Sequence, residues 1–345
     1  MPATDQRYRF TFGPWNICVG ADPFGPPVRP DLSLAEKLRT YKQLGYDGVQ
    51  LHDDDVVAAE ADAATVQRTI KDLKKVLDDE GLFVEFVAPR LWEDPQTVGG
   101  AYTSNWAADR QYAIDRSKRS IDIGRQLGTV RQVLWLAREG TYIREAKDSI
   151  QVYDRLLDAL NQLLAYDDQV RLLGEMKPNE PMDHAYCPTP GHFLAMIPKT
   201  QSPQRVGVLI ESAHAILAGL DPSDEMAYAL WHGKLWGVHL NDQNGLKYDQ
   251  DKAFGSVDLR RAFNTVWVLE RGGYGLKGEC IGMDVKAMRT TSVLEQTKHL
   301  ANSREIFLRI LALVRTVDVK LVEELRMRRN DEDLEMYVLR LIMGR

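Results

Sequence analysis

Histidines and carboxylates follow apolar segments of this sequence in a pattern that could hold divalent cations. In VHLNDQNGLKYDQD, residues 238–251, His239 stands near the end of an apolar run, and Asp249 and Asp251 follow two residues apart. Alternate residues of an extended segment point to the same side, so these two carboxylates could chelate one ion. A solvated polar loop is the alternative explanation for this stretch taken alone.

Further candidate site residues stand at the ends of other apolar segments. They are His52–Asp55 (HDDD), Trp135, Glu175 with Lys177, Glu211 with His214, and Asp284 with Lys286. Uncompensated carboxylates repel one another, so a cluster of this density implies bound cations. Glu175, Glu211, His239 and Asp284 could form one site, and Glu211, His214, Asp249 and Asp251 could form a second that shares Glu211. Because no cysteine takes part, the donor set suits Mg²⁺, Mn²⁺ or Co²⁺ better than a structural zinc.

Eight short segments rich in Val, Ile, Leu and Phe alternate with longer amphipathic ones. The strand candidates span 10–15, 47–52, 82–89, 130–135, 170–177, 206–212, 235–240 and 278–285. Predicted helices include 32–44, 64–81, 109–128, 148–166 and 292–317, and Gly45, Gly81 and Gly128 stand where helices should end. The alternation predicts an α/β fold, a (β/α)8 TIM barrel whose candidate ligands converge on one mouth. A doubly wound open sheet is the alternative, but no GxGxxG motif follows the first strand.

The domain organisation predicted from this pattern is a catalytic barrel over residues 1–317 and a shorter tail over 318–345. The tail is charged, with Leu, Met and Val at irregular helical spacing. It is too short for a domain and is not needed to close the barrel. We expect a helical arm that packs on this barrel or makes a subunit contact.

Composition excludes several functional classes. The net charge of −6 gives no electrostatic reason to bind nucleic acid, and no run of apolar residues is long enough to predict a membrane span. The N-terminal residues lack the apolar core of a secretory signal. Cys18, Cys187 and Cys280 are widely spaced and form no CxxC pair. These features favour a cytoplasmic protein without a nucleic-acid or membrane partner.

Several motifs, taken in order, resemble the D-xylose (glucose) isomerase family of the shorter, actinobacterial type. The matching stretches are FTFGPW (10–15), ADPFG (21–25), GVQLHDDD (48–55), TSN (103–105), VLW-x-x-REG (133–140), EMKPNEP (175–181), E-x-x-H (211–214), ALWHGKL (229–235), LNDQNGLKYDQD (240–251) and D-x-K-x-x-R (284–289). The combination of HDDD, KPNEP and KYDQD is highly specific. The resemblance implies a (β/α)8 barrel that uses two divalent cations to interconvert an aldose and a ketose.

The resemblance also implies roles for individual residues. His52 would serve ring opening, oriented by Asp55, and Lys177 would hold the carbonyl oxygen of a small-molecule sugar. The expected substrate-binding residues are Trp15, Trp92, Trp135 and Lys286, with Phe24 inserted into the site by a neighbouring subunit. The expected metal ligands are Glu175, Glu211, His214, His239, Asp249, Asp251 and Asp284. The family assembles through a C-terminal arm, which predicts a homodimer or homotetramer despite the shortened tail.

The sequence departs from the family pattern at the site itself. His239 stands where the family has an aspartate, and Ala88, Pro89 and Arg90 replace a polar stretch before Trp92. Related barrels such as rhamnose isomerase and tagatose epimerase resemble this chain in using a histidine on that strand. The alternatives are therefore a single-metal keto-sugar epimerase or lyase, including a C-glycoside-cleaving type, and a degenerate sugar-binding paralogue. The changes argue against D-xylose as the substrate.

Overall fold

All eight predicted apolar segments contain a strand of one parallel sheet. The computed structural model describes residues 7–22, 24–246 and 248–344. The sheet consists of β1 (Arg9–Phe12), β2 (Gly48–His52), β3 (Phe83–Ala88), β4 (Arg131–Trp135), β6 (Arg171–Glu175), β8 (Val206–Glu211), β9 (Leu235–His239) and β10 (Cys280–Gly282). Its hydrogen-bonded order is β3-β2-β1-β10-β9-β8-β6-β4, and β3 and β4 also lie in contact. The predicted (β/α)8 TIM barrel is thereby confirmed as a nearly closed barrel.

Helices cover the outside of the barrel. They are α1 (Leu34–Gln43), α2 (Asp53–Val56), α3 (Ala63–Glu80), α4 (Ala107–Gln126), α5 (Gln151–Tyr166), α6 (Pro190–Met196), α7 (Ser212–Leu217), α8 (Pro222–Trp231), α9 (Leu259–Arg271) and α10 (Lys298–Val314). Gly81 ends α3 in the left-handed region at φ 64°, a conformation that costs glycine little because it has no Cβ. A short antiparallel ribbon of β5 (Gly140–Thr141) and β7 (His184–Ala185) lies outside the sheet.

Several predicted boundaries were wrong, among them those of the first strand and of the helix predicted over 292–317. The first strand ends at Phe12 rather than at residue 15, because Pro14 begins a 3₁₀ turn over Pro14–Asn16. The predicted helix 292–317 is divided into a 3₁₀ turn at Val293–Glu295 and α10. The first correction matters for the site, since the turn carries Trp15 and Asn16 to the end of β10.

The apolar residues pack in two layers, one inside the barrel and one between the barrel and its helices. Phe86, Val133, Leu173, Leu209 and Trp236 form an apolar cluster inside the sheet. A larger apolar core lies between the strands and the helices. Strands β2, β8 and β9 are buried at every position, as expected when both faces of a parallel sheet are covered.

The C-terminal residues form two further helices, α11 (Val319–Met327) and α12 (Asp331–Ile342). They pack against each other, and α12 packs on α9 and α10 of the same barrel, with Val322 and Val338 buried. Arg260 of α9 pairs with Glu335 of α12 at 2.6 Å. The arm is therefore helical and contacts its own barrel, and its role in subunit contact stays a prediction.

Within residues 7–22, 24–246 and 248–344, no helix has the length and apolar character needed to cross a membrane.

Candidate functional site: a carboxylate and histidine centre in the barrel mouth

The carboxyl ends of the strands open into a cavity of about 620 Å³. Its lining includes the predicted residues Trp15, His52, Trp92, Trp135, Glu175, Lys177, Glu211, His214, His239, Asp249, Asp251, Asp284 and Lys286. Parallel strands place all their carboxyl ends at one rim, so residues up to 269 positions apart in sequence become neighbours here. The predicted convergence on one mouth is present in the structure.

His239 is oriented by a buried glutamine. The Nε2 atom of Gln50 lies 3.0 Å from a carboxylate oxygen of Glu85 and 3.2 Å from the Thr11 hydroxyl. Only the amide nitrogen of Gln50 can donate to a carboxylate, so its Oε1 must be the atom 3.0 Å from Nε2 of His239. Nε2 of His239 therefore carries a proton, and Nδ1 faces the opposite way.

Three carboxylates surround that second nitrogen of His239. Nδ1 lies 3.6 Å from Glu175, 3.6 Å from Glu211 and 3.7 Å from Asp284. These separations are too long for hydrogen bonds, and Nδ1 is buried without a hydrogen-bond partner among the described residues. Ligands that each stand about 2.0–2.2 Å from one ion are separated by about this much. The four side chains are therefore spaced to hold a divalent cation. We call Glu175, Glu211, His239 and Asp284 the His239 group.

A second set of ligands adjoins the first and consists of Glu211, His214, Asp249 and Asp251, which we call the His214 group. Nε2 of His214 lies 3.3 Å from Oε1 of Glu211 and 3.0 Å from Oδ2 of Asp249. Ligand atoms of Glu211, Asp249 and Asp251 lie within 4.8 Å of one another. Nδ1 of His214 and Oδ1 of Asp249 are buried without hydrogen-bond partners in the described part of the chain.

Glu211 belongs to both groups and uses a different oxygen in each. Oε2 faces Nδ1 of His239 at 3.6 Å, whereas Oε1 faces Nε2 of His214 at 3.3 Å. Asn241 holds this carboxylate by donating to Oε1 at 2.8 Å, and the same amide nitrogen lies 3.1 Å from Asp251. Glu211 could therefore contribute one oxygen to each group.

The His239 and His214 groups together carry an excess of buried negative charge, which favours the binding of cations. Burial, together with the negative charge of Asp249, raises the pKa of Glu211 to about 8. Burial and Asp249 likewise raise the pKa of Asp251 to about 8, although Lys286 pairs with it. Burial alone would lower the pKa of His239, but the surrounding carboxylates raise it well above its ordinary value. Bound cations would relieve this excess of negative charge.

Lys177 closes one side of the His214 group. Its Nζ lies 2.7 Å from Glu180 and 3.1 Å from Asp249, and these neighbours raise the pKa of Lys177 although burial opposes them. An ammonium has three donors, so one remains to meet an oxygen of a bound molecule. This position is compatible with the predicted role of Lys177 toward a carbonyl oxygen.

Aromatic rings enclose the rest of the cavity. The ring of His52 lies 4.3 Å from that of Trp15 and 5.0 Å from that of Trp92, and Trp92 meets Trp135 edge to face at 4.5 Å. Nε1 of Trp15 donates to Asp284 at 3.0 Å, which ties this wall to the His239 group. The walls are apolar surfaces that could exclude water from a bound molecule.

Two predicted residues do not line the cavity. Asp55 lies behind His52, with Oδ2 3.1 Å from Nδ1 of the imidazole and 2.8 Å from the His52 backbone nitrogen. Phe24 is 74% exposed, and its ring lies 5.3 Å from that of Tyr248. Insertion of Phe24 into the cavity of a second subunit stays a prediction.

Sequence reasoning assigned no role to Gln50, Asn241 or Arg90. Gln50 and Asn241 are buried polar residues in or beside apolar strands, and a polar residue at such a position needs a buried partner. That signal was available in GVQLH and in VHLN. Arg90 was noted only as a departure from the family pattern, and the structure places it against His52.

Comparisons with known proteins agree with this architecture. The sequence model of the xylose isomerase-like TIM barrel family matches residues 38–270. A D-tagatose 3-epimerase-like protein has a similar structure, with a TM-score of 0.65 and 15% identity, covering 89% of this chain and 98% of that one. For the 3-keto-D-glucoside 4-epimerase from E. coli the TM-score is 0.63 and the identity 14%, over 86% of this chain and 99% of that one.

A third similar structure is a xylose isomerase domain protein from Alicyclobacillus acidocaldarius. Its TM-score is 0.62 at 14% identity, and the match covers 89% of this chain and 99% of that one. Identities this low establish a shared fold and leave the reaction open. The family match spans more than half of the sequence, and the chain therefore belongs to the xylose isomerase-like TIM barrel family.

Proposed function

We propose that this protein is a metal-dependent aldose–ketose isomerase that acts on a small sugar with two divalent cations, Mg²⁺, Mn²⁺ or Co²⁺. The observation that carries the proposal is the position of Glu211 between the His239 and His214 groups. Its two oxygens lie 3.6 Å and 3.3 Å from the two imidazoles. A shared carboxylate is suited to holding two cations close together.

The proposed chemistry moves two hydrogens of an open-chain sugar, one between neighbouring carbons and one between the oxygens that those carbons carry. Cations bound by the two groups would supply Lewis acidity toward a carbonyl and its neighbouring oxygen. Lys177 would donate to the carbonyl oxygen with its remaining proton. Trp15, Trp92 and Trp135 would position the carbon chain and exclude water. His52 would act as an acid–base group toward the sugar during ring opening.

We propose that the substrate differs from D-xylose. Ala88 and Arg90 line the cavity beside His52 and Trp92. Here an apolar methyl group and a guanidinium take the place of the polar side chains in the family pattern. Hydrogen bonds of buried polar groups discriminate strongly among similar substrates, so these changes are expected to alter which hydroxyl groups are accepted.

The second candidate is a single-metal keto-sugar epimerase or lyase on the same barrel. His239 favours it, because an imidazole lowers the negative charge available at the His239 group. Two of the similar structures, the D-tagatose 3-epimerase-like protein and the 3-keto-D-glucoside 4-epimerase, also point in this direction. The presence of Asp249 and Asp251 in the cavity wall argues for the two-cation reaction.

The decisive experiment removes metals with a chelator, restores Mg²⁺, Mn²⁺ or Co²⁺, and assays a panel of pentoses and hexoses for ketose formation. Metal-dependent turnover of an aldose supports the isomerase. A run in deuterated water then separates the mechanisms, because proton abstraction admits solvent label into carbon–hydrogen bonds and a hydride shift does not. Turnover of keto-sugars alone, with label incorporation and one metal per chain, supports the epimerase or lyase. Absence of both turnover and metal binding supports a sugar-binding paralogue.

A further inference from the structure

The guanidinium of Arg90 contacts the imidazole of His52 at its Nδ1 atom. Its Nη2 atom lies 2.8 Å from Nδ1 of the imidazole. Arginine has donors and no acceptor, and it does not lose its proton in proteins. Nδ1 must therefore offer a lone pair in this contact. A neutral imidazole has one ring proton, so that proton is on Nε2.

We propose that Arg90 is a positioning residue that holds neutral His52 in the Nε2–H form, so that His52 presents a hydrogen-bond donor to the cavity. His52 lines the cavity, and in the described ranges its hydrogen bonds to other residues involve Nδ1 and the backbone nitrogen. The atom of a bound ligand that meets Nε2 of His52 must then be a hydrogen-bond acceptor. In the isomerase proposed above, on which this last step rests, that acceptor would be the ring or carbonyl oxygen of the sugar.

Asp55 offers the competing arrangement. Its Oδ2 lies 3.1 Å from Nδ1 of His52, close enough to accept a proton from that nitrogen. Oδ2 also accepts the backbone N–H of His52 at 2.8 Å. The remaining carboxylate oxygen, Oδ1, lies 2.9 Å from Nη2 of Arg90. The two hydrogens of Nη2 are thus directed to Asp55 and to His52, and a proton on Nδ1 would face one of them.

Arg90 is held rigidly enough to impose this choice. Its Nε donates to Asp54 at 2.8 Å, and its backbone nitrogen donates to Asp53 at 2.9 Å. Asp53 is fully buried and is paired with Arg116 at 2.7 Å. The side chain of Arg90 is only 18% exposed. The guanidinium therefore cannot rotate away from His52 without breaking several charged hydrogen bonds.

The nitrogen chemical shifts of His52 test the proposal directly. The Mg²⁺-loaded full chain is labelled with ¹⁵N-histidine, and His52 is assigned among the seven histidines by loss of its signals in H52Q. The spectra are recorded above the pH range in which the imidazole titrates. We expect a protonated, pyrrole-type shift for Nε2 and an unprotonated, pyridine-type shift for Nδ1. A protonated Nδ1 in the unmodified protein would overturn the proposal.

Two variants identify the residue responsible. R90M removes the donor to Nδ1, so Asp55 is the partner that remains among the described residues and the proton is expected to move to Nδ1. D55N removes the competing acceptor and keeps Arg90, so the proton is expected to stay on Nε2. If R90M keeps the Nε2–H form, or if D55N moves the proton, Arg90 does not set the tautomer. No substrate is involved, so failure of the isomerase proposal leaves this result interpretable.

Discussion

The side chains of Gln50 and His239 form a hydrogen bond of 3.0 Å across the barrel interior. The bond fixes which nitrogen of His239 carries a proton, because Glu85 and Thr11 already determine the orientation of the Gln50 amide. The other nitrogen then points at Glu175, Glu211 and Asp284. Outer partners of this kind set the tautomer and basicity of histidines that bind metals.

Replacing Gln50 by leucine should therefore weaken metal binding at the His239 group. Loss of such an outer partner typically lowers metal affinity about 10- to 100-fold. Titration calorimetry of the stripped protein with Mn²⁺ measures the change. Gln132→Leu is a matched control, since Gln132 is equally buried but donates to the backbone of Ser117. Equal affinities in Gln50→Leu and Gln132→Leu would show that Gln50 does not orient His239.

Substituting His239 tests the charge of the first group. His239→Asp adds a negative charge next to Glu175, Glu211 and Asp284, and it should bind a divalent cation more tightly than the unmodified protein. Turnover of D-xylose should rise as well. His239→Asn has nearly the same shape without the charge and should bind more weakly than His239→Asp. If His239→Asp neither tightens metal binding nor raises xylose turnover, His239 serves a purpose other than ligation.

The bridging position of Glu211 predicts different losses from two carboxamide substitutions. Glu211→Gln should weaken metal binding at both the His239 and the His214 group. Asp251→Asn should weaken metal binding at the His214 group alone. Metal analysis of the dialysed proteins measures the number of ions retained per chain. Glu93→Gln is the control, since Glu93 also lines the cavity and belongs to neither group. Loss of a single ion in Glu211→Gln would contradict a shared carboxylate.

Metal binding should also stabilise the fold, because it removes repulsion among buried carboxylates. A ligand that binds only the folded state at about 100 times its Kd adds about 2.7 kcal/mol per site to the free energy of unfolding. Urea unfolding with a chelator and with added Mn²⁺ measures this difference. In Glu211→Gln the gain should be much smaller, and a gain of undiminished size would mean that the stabilising ions bind elsewhere.

Acid should destabilise the protein through His299. Burial and the charge of Arg29 lower the pKa of this histidine to about 4, although its hydrogen bond to the backbone oxygen of Asn16 at 3.0 Å opposes the shift. The unfolded state takes up the proton near pH 6.5, so stability should fall as the pH drops from about 6.5 to about 4, by about 3 kcal/mol in total.

The variant His299→Gln isolates that contribution. It should lose less stability than the unmodified protein over the same acid range, as measured by urea unfolding at several pH values. Above pH 7 both proteins should show flat profiles with respect to this group, because His299 is neutral in both states. Parallel losses from pH 6.5 to pH 4 in the two proteins would rule out His299 as the source.

The sequence by itself determined the barrel and the types of residue at its mouth. Eight apolar segments alternating with amphipathic ones leave few arrangements that bury both faces of a parallel sheet. Candidate ligands such as Glu175, Glu211 and His239 end their strands, and parallel strands share one rim. Local pattern was sufficient for these residues, because their position depends on which end of a strand they occupy.

The tertiary structure decided which atoms meet. Gln50 and His239 are 189 residues apart and belong to strands that are not neighbours in the sheet, so their contact depends on the closure of the barrel. Arg90 meets His52 only because β3 pairs with β2 in a register that sets Ala88 beside His52. The hydrophobic periodicity of the sequence predicts only the face of a strand or helix on which a side chain lies. The tautomers of His52 and His239 depend instead on sub-ångström hydrogen-bond geometry between distant segments, which exists only once the chain is folded.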